Sequence, residues 1–238
     1  MNKENIIEKG LIAAKGIVAM IPVLGGTITS VWSDVEAIQA KRKHERLEEF
    51  YIALKEEVER IKDRINTSYI NQPDFLDVFE LTAKYIVNER NEEKRILFRN
   101  ILVNSITMKD CSYDKTERYL RILEQMNSFE LLLLKILKNP KAYNDQQGNI
   151  IKDPNGGKSN AVLRIHYTLV SEFKKIMNDL TKASQDDISE AMYFLESNRL
   201  VRENASESRL QTNGNPIHVL DDKLTSKGKD FMSFILDK

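Results

Sequence analysis

From Leu11 to Trp32 the chain carries one charge, Lys15, in 22 residues. A stretch this apolar has to be covered by the protein's own core, by a second copy, or by lipid. Its dimensions narrow the choice. Leu11 to Ile21 is 11 residues, about 16 Å as a helix and roughly half the hydrocarbon thickness of a bilayer. Pro22 and the pair Gly25-Gly26 then interrupt the run. The expectation is a helical hairpin that lies in a core or in an interface and does not cross a membrane. A cationic run follows at Lys41, Arg42, Lys43, His44 and Arg46. An apolar segment, a tryptophan near its end and then clustered cations is the arrangement of membrane-active segments. Leu11, Ile17, Met20, Pro22, Gly25, Gly26 and Trp32 are thus the candidate membrane or self-association residues. Lys41, Arg42, Lys43 and Arg46 are the candidate contacts to anionic lipid.

Nine Gly and five Pro in 238 residues favour long helices over a turn-rich β fold. The apolar spacing agrees. Ile6, Ile7, Leu11, Ala14, Val18 and Ile21 recur at three- and four-residue steps. With Thr27 as cap, one very long helix runs without a breaker to about Asn66, about 60 Å. Its second half carries the stripe Leu47, Phe50, Leu54, Val58, Ile61 and Ile65. Further helices are expected near 74–88, 92–108 and 116–125. Residues 1–127 read as an N-terminal helical bundle.

Residues 128–238 read as a second module. Ser128 caps an apolar helix that ends at Pro140, and a polar loop runs from Lys141 to Asn160. Helices are expected at 164–178 and, capped by Ser184, at 185–197. Then come a strand at Leu200-Val201, a tip at Asn213-Gly214-Asn215-Pro216, a strand at Ile217–Leu220 and a last helix from Thr225 to Leu236. Helix, helix, strand, turn, strand, helix is the order of a winged helix with a small two-stranded hairpin. The fold class is therefore mainly α, a bundle joined to a winged-helix module.

Such a module invites a DNA partner, but its charges do not. Ser184 to Lys238 holds 7 basic and 10 acidic residues, so 7 − 10 = −3. The helix that would read DNA begins Gln185-Asp186-Asp187 and has no cation before Arg199. Phosphate affinity comes mainly from cationic neutralisation, so DNA is disfavoured and a protein partner preferred. Arg199, Arg202 and Arg209 remain the candidate wing contacts.

Groups for catalysis are sparse. Cys111 is the sole cysteine, which excludes an internal disulfide and a cysteine-based zinc site. Three scattered histidines, His44, His166 and His218, make no metal constellation. Gly156-Gly157-Lys158-Ser159 ends like a phosphate-binding loop, but the required earlier glycine is Lys152 and no buried strand precedes it. No catalytic, cofactor or metal residues are assigned, no small-molecule substrate is evident, and the expectation is a protein that is not an enzyme. The opening MNKENIIEKG is a poor signal peptide, and a cytoplasmic protein is expected. The 36 cations balance 36 anions, which excludes a globally basic nucleic-acid binder.

The segment DVFELTAKYIVNERNEEKRILFRNILVNSI, followed by YLRILEQMNSFELLLLKIL, resembles the bacterial abortive-infection alpha family and related helical proteins with a C-terminal winged helix. The resemblance covers about residues 70–138 and rests on helix-packing residues. It transfers no catalytic residue. It implies a role in antiphage defence, through growth arrest or death of the infected cell. The combined expectation is a non-enzymatic defence protein. Its helical part would act by membrane engagement or self-association, with the C-terminal module as a docking or sensing surface. A DNA-binding regulator, and an inhibitor or scaffold that uses the 141–160 loop, are the alternatives.

Overall fold

A computed structural model describes residues 3–37, 41–108, 111–152, 164–166, 170–206, 210–212 and 216–236. Of residues 3–11, 32–37, 164–166, 170–171 and 210–212 it describes the backbone alone. The described residues form twelve α-helices and two short strands in two compact units.

The first unit comprises Met1–Gln125 and Phe234–Lys238. It holds α1 (Lys3–Met20), α2 (Gly25–Ala37), α3 (Lys41–Ile61), α4 (Thr67–Ile70), α5 (Pro73–Asn88), α6 (Glu92–Thr107) and α7 (Tyr113–Gln125). The amphipathic stripe of α3 explains the arrangement. Leu47, Tyr51, Leu54 and Val58 are fully buried, and α1, α5 and α6 pack on this helix. Phe79 of α5 stacks on Tyr51 with ring centroids 6.4 Å apart. Asn91 caps α6 by accepting from the amides of Glu93 and Lys94.

The single helix expected from Thr27 to Asn66 corresponds, among the described residues, to α2 and α3. α2 begins at Gly25, so Thr27 lies inside it, and α3 ends at Ile61 before a 3-10 turn over Lys62–Arg64. The junction at 38–40 lies outside the described residues. α1 covers the stripe of α3, whereas α2 buries Ile28 and Val31 and packs on α5 and α3.

Two buried asparagines end the first unit. Asn100 Nδ2 donates to the Ile235 carbonyl at 2.8 Å and Asn104 Nδ2 to the Phe234 carbonyl at 2.7 Å. These are among the last carbonyls of a helix, which have no intrahelical donor. The two asparagines of RNILVN are thus more than packing residues, since they hold the end of the last helix.

The second unit is Met126–Ser233. It holds α8 (Ser128–Lys138), α9 (Pro140–Gln146), β1 (Arg164–His166), α10 (Val170–Thr181), α11 (Gln185–Ser197), β2 (Leu210–Thr212) and most of α12 (Ser226–Leu236). α11 packs on α8 and on α10. The cap of α8 is Asn127, paired reciprocally with Glu130, and not Ser128. Ser184 caps α11 as expected, in a box with Asp187. α9 occupies the start of the expected loop, and Asn144 anchors the chain beyond α9 by pairing with both backbone groups of Ile151 at 2.9 Å. Residues 153–160 of that loop lie outside the described residues.

The two-stranded hairpin expected at 200–201 and 217–220 does not form there. Pro216–Leu220 is a 3-10 turn. Ile217, Val219 and Leu220 are all buried, without the alternation a half-exposed strand needs. Val201 makes a lone antiparallel bridge to Leu224. Arg164–His166, expected to open a helix, is instead paired antiparallel with Leu210–Thr212. These strands lie far apart in sequence, so they are not a hairpin.

Candidate functional site: the outer face of α1 and the α3–α6 groove

The apolar segment has two faces. Ala13, Ala14, Ile17, Ile21 and Leu24 are buried. Ile12, Lys15 and Ala19 recur at three- and four-residue steps on the other side and are exposed, as is Pro22 beyond the helix. Ile12 keeps 56 % of its surface in solvent. Among residues 12–31 Lys15 is the sole charge, so this outer face is weakly polar. Of the candidate residues, Ile17 belongs to the core, Met20 and Gly25 are half-buried, and Pro22 and Gly26 are exposed. The side chains of Leu11 and Trp32 are outside the described set.

The cationic run is only partly free. Lys41 pairs with Glu45 at 3.4 Å. Arg46 donates from Nη1 to the Val87 carbonyl at 2.9 Å, which uses its charge to cap the end of α5. Exposed Arg42 and half-buried Lys43 make no side-chain hydrogen bond or ion pair among the described residues. Four candidate lipid contacts thus reduce to two unengaged cations. One turn further on, Glu48 is 1 % exposed and neither oxygen is hydrogen-bonded. Burial, then the nearby charges of Glu45 and Glu49, push its carboxyl up to about 7. His44 Nε2 stands 3.4 Å from it.

α3 and α6 enclose a groove of about 240 Å³ with Ile86 of α5. α3 contributes Arg46, Glu49, Phe50 and Ala53, and α6 contributes Glu92, Arg95, Ile96 and Arg99. Each set follows the i, i+3, i+4, i+7 spacing of one helix face. Arg95 is engaged, donating to the Arg90 carbonyl at 3.1 Å and lying 3.4 Å from Glu49. Arg99 makes no hydrogen bond or ion pair among the described residues, and its Nε is buried without an acceptor. Burial lowers its pKa, and the charges of Glu57 and Glu56 oppose that shift. The spacing was visible in the sequence. That α3 and α6 face one another was not, so the groove escaped sequence reasoning.

In the second unit, Arg199 and Arg202 are exposed, and Arg209 is outside the described residues. Arg199 is a structural residue: at φ 57° it follows the helix cap of α11. Leu200 N–H donates to the Leu195 carbonyl at 2.9 Å and Arg199 N–H to the Glu196 carbonyl at 2.8 Å, the paired bonds of a Schellman motif. The outer face of α11 exposes Asp186, Asp187, Glu190 and Tyr193, the last at 74 %. Lys223 is 1 % exposed, with Nζ 5.9 Å from the centre of the Phe173 ring. Burial, then Arg202, lowers its pKa to about 8 against the pull of Asp221.

Among the described residues no cluster of three metal-ligating side chains occurs, and no helix is long and apolar enough to cross a membrane. Compared with protein-family models, with curated proteins and with solved structures, the chain matches none. Its class rests on its own architecture, a mainly helical chain in two units.

Proposed function

We propose that this is a non-enzymatic antiphage protein of the abortive-infection type, whose first unit acts on an anionic membrane surface. The observation that carries the reading is the outer face of α1, where Ile12, Ala19 and Pro22 are exposed beside the single charge Lys15. Arg42 and Lys43, unengaged among the described residues of the same unit, supply attraction to anionic headgroups. The face is too short to span a bilayer, so it lies in the headgroup region. The test is membrane potential in cells expressing the chain. Wild type is expected to collapse the potential and stop growth, and Ile12→Asp to abolish both at equal protein level. A potential that holds while growth stops would contradict the membrane step. Ile17 is unsuited to this test, because a charge at that fully buried position would unfold α1.

The second unit, in this reading, is a winged-helix-like docking module. Support comes from β1 and β2, which precede and follow the pair α10–α11 and join across it. The exposed carboxylates of α11, with Tyr193 among them, favour a protein partner over DNA. The DNA-binding regulator is the weaker alternative for that reason.

A further inference from the structure

We propose that the groove between α3 and α6 binds a small amphiphilic carboxylate, with its acid group on Arg99 and its apolar body over Phe50 and Ile86. Three observations converge. Arg99 lines the groove and lacks any hydrogen-bond or ion-pair partner among the described residues, and its Nε donor is shut away from water. Its two terminal Nη atoms are not sealed in this way, and there a carboxylate meets a guanidinium in a two-bond fork. The floor is apolar, since Phe50 and Ile86 are almost fully buried and Ile96 forms a partly exposed rim. Ala53 supplies the room, being the small residue of the α3 face.

The other charges of the groove are largely committed. Arg46 holds the Val87 carbonyl, and Arg95 holds the Arg90 carbonyl beside Glu49. Glu92 is exposed in the first turn of α6, the helix end where a carboxylate is favoured by the peptide dipoles. Among the three arginines of the lining, Arg99 is the one whose guanidinium makes no hydrogen bond or ion pair among the described residues, with Glu57 and Glu56 acting on it through charge alone. The cavity, about 240 Å³, lies under the roughly 300–1,000 Å³ that drug-sized ligands occupy. The ligand is therefore a short acid and not a phospholipid. This site stands apart from the α1 face, so failure of either leaves the other intact.

The test is calorimetric titration of the full chain with sodium octanoate below its micelle concentration, with octylammonium as the charge-reversed control. Wild type is expected to bind octanoate and not octylammonium. Arg99→Met is expected to weaken octanoate roughly tenfold or more through loss of the charge-assisted pair. Ala53→Leu fills the space and is expected to abolish binding while leaving Arg99 in place. Absence of octanoate binding to wild type would overturn the proposal. So would equal binding of octylammonium, or full affinity in a folded Arg99→Met protein. If Arg99→Met fails to fold, Ala53→Leu decides: retained affinity refutes the site.

Discussion

Glu48 stands in α3 among Glu45 and Glu49, and in the sequence nothing separates the three. In the structure Glu48 alone is buried, with a carboxyl raised from 4.5 to about 7. The consequence has a definite sign. Between those values the folded chain holds a proton that the unfolded chain has released, so stability falls as pH rises through that window and levels off above it. Glu48→Gln keeps the shape and removes the titration. Urea unfolding at about pH 5 and about pH 8 is expected to show a flatter profile for the variant, with a gain at the higher pH on the order of 2–3 kcal/mol. An unchanged pH slope would mean that Glu48 ionises freely. Asn100 and Asn104 make the same point about legibility. Their spacing marks a helix face, but the carbonyls they hold lie 130 residues or more away in sequence.

At the scale of elements, several helix starts were legible where a cap or breaker stood beside an apolar period. Ser184 and Pro73 mark starts that the structure keeps. Legibility failed where the reason for an end is tertiary. No residue between Ile61 and Asn66 forbids a helix, yet α3 ends at Ile61 in a 3-10 turn. It failed also at Ile217–Leu220, where four apolar or amphipathic residues fit a strand or a buried turn equally well. The contact of α12 with the segment after α11 is a further case. Thr225 Oγ1 donates to the Arg199 carbonyl at 2.6 Å, and Lys227 Nζ to the Asn198 carbonyl at 2.7 Å. Gly228 lies so close to Leu200 that a Cβ would enter the carbonyl group of that residue. Gly228→Ala is expected to cost roughly 2–3 kcal/mol, because backbone and not a flexible side chain must move. Thermal unfolding checks it, and a melting temperature equal to wild type would show that the two segments separate freely.

At the scale of the molecule, the 36 cations and 36 anions hide local contrasts. The first unit has a weakly polar helix face and two cations unengaged among the described residues, and the second presents carboxylates on α11. The apolar run from Leu11 to Trp32 was the plainest feature of the sequence, yet its meaning turned on which side of α1 faces out. The core takes Ile17 and Ile21, and Ile12, Ala19 and Pro22 are exposed. The most direct measurement is flotation of the purified chain with vesicles of phosphatidylglycerol or of phosphatidylcholine. Wild type is expected to float with the anionic vesicles alone, to lose that binding at high salt, and to lose it again in Ile12→Asp and in Arg42→Glu/Lys43→Glu. Equal flotation of wild type and these variants, or none with anionic vesicles, would contradict membrane action by the first unit.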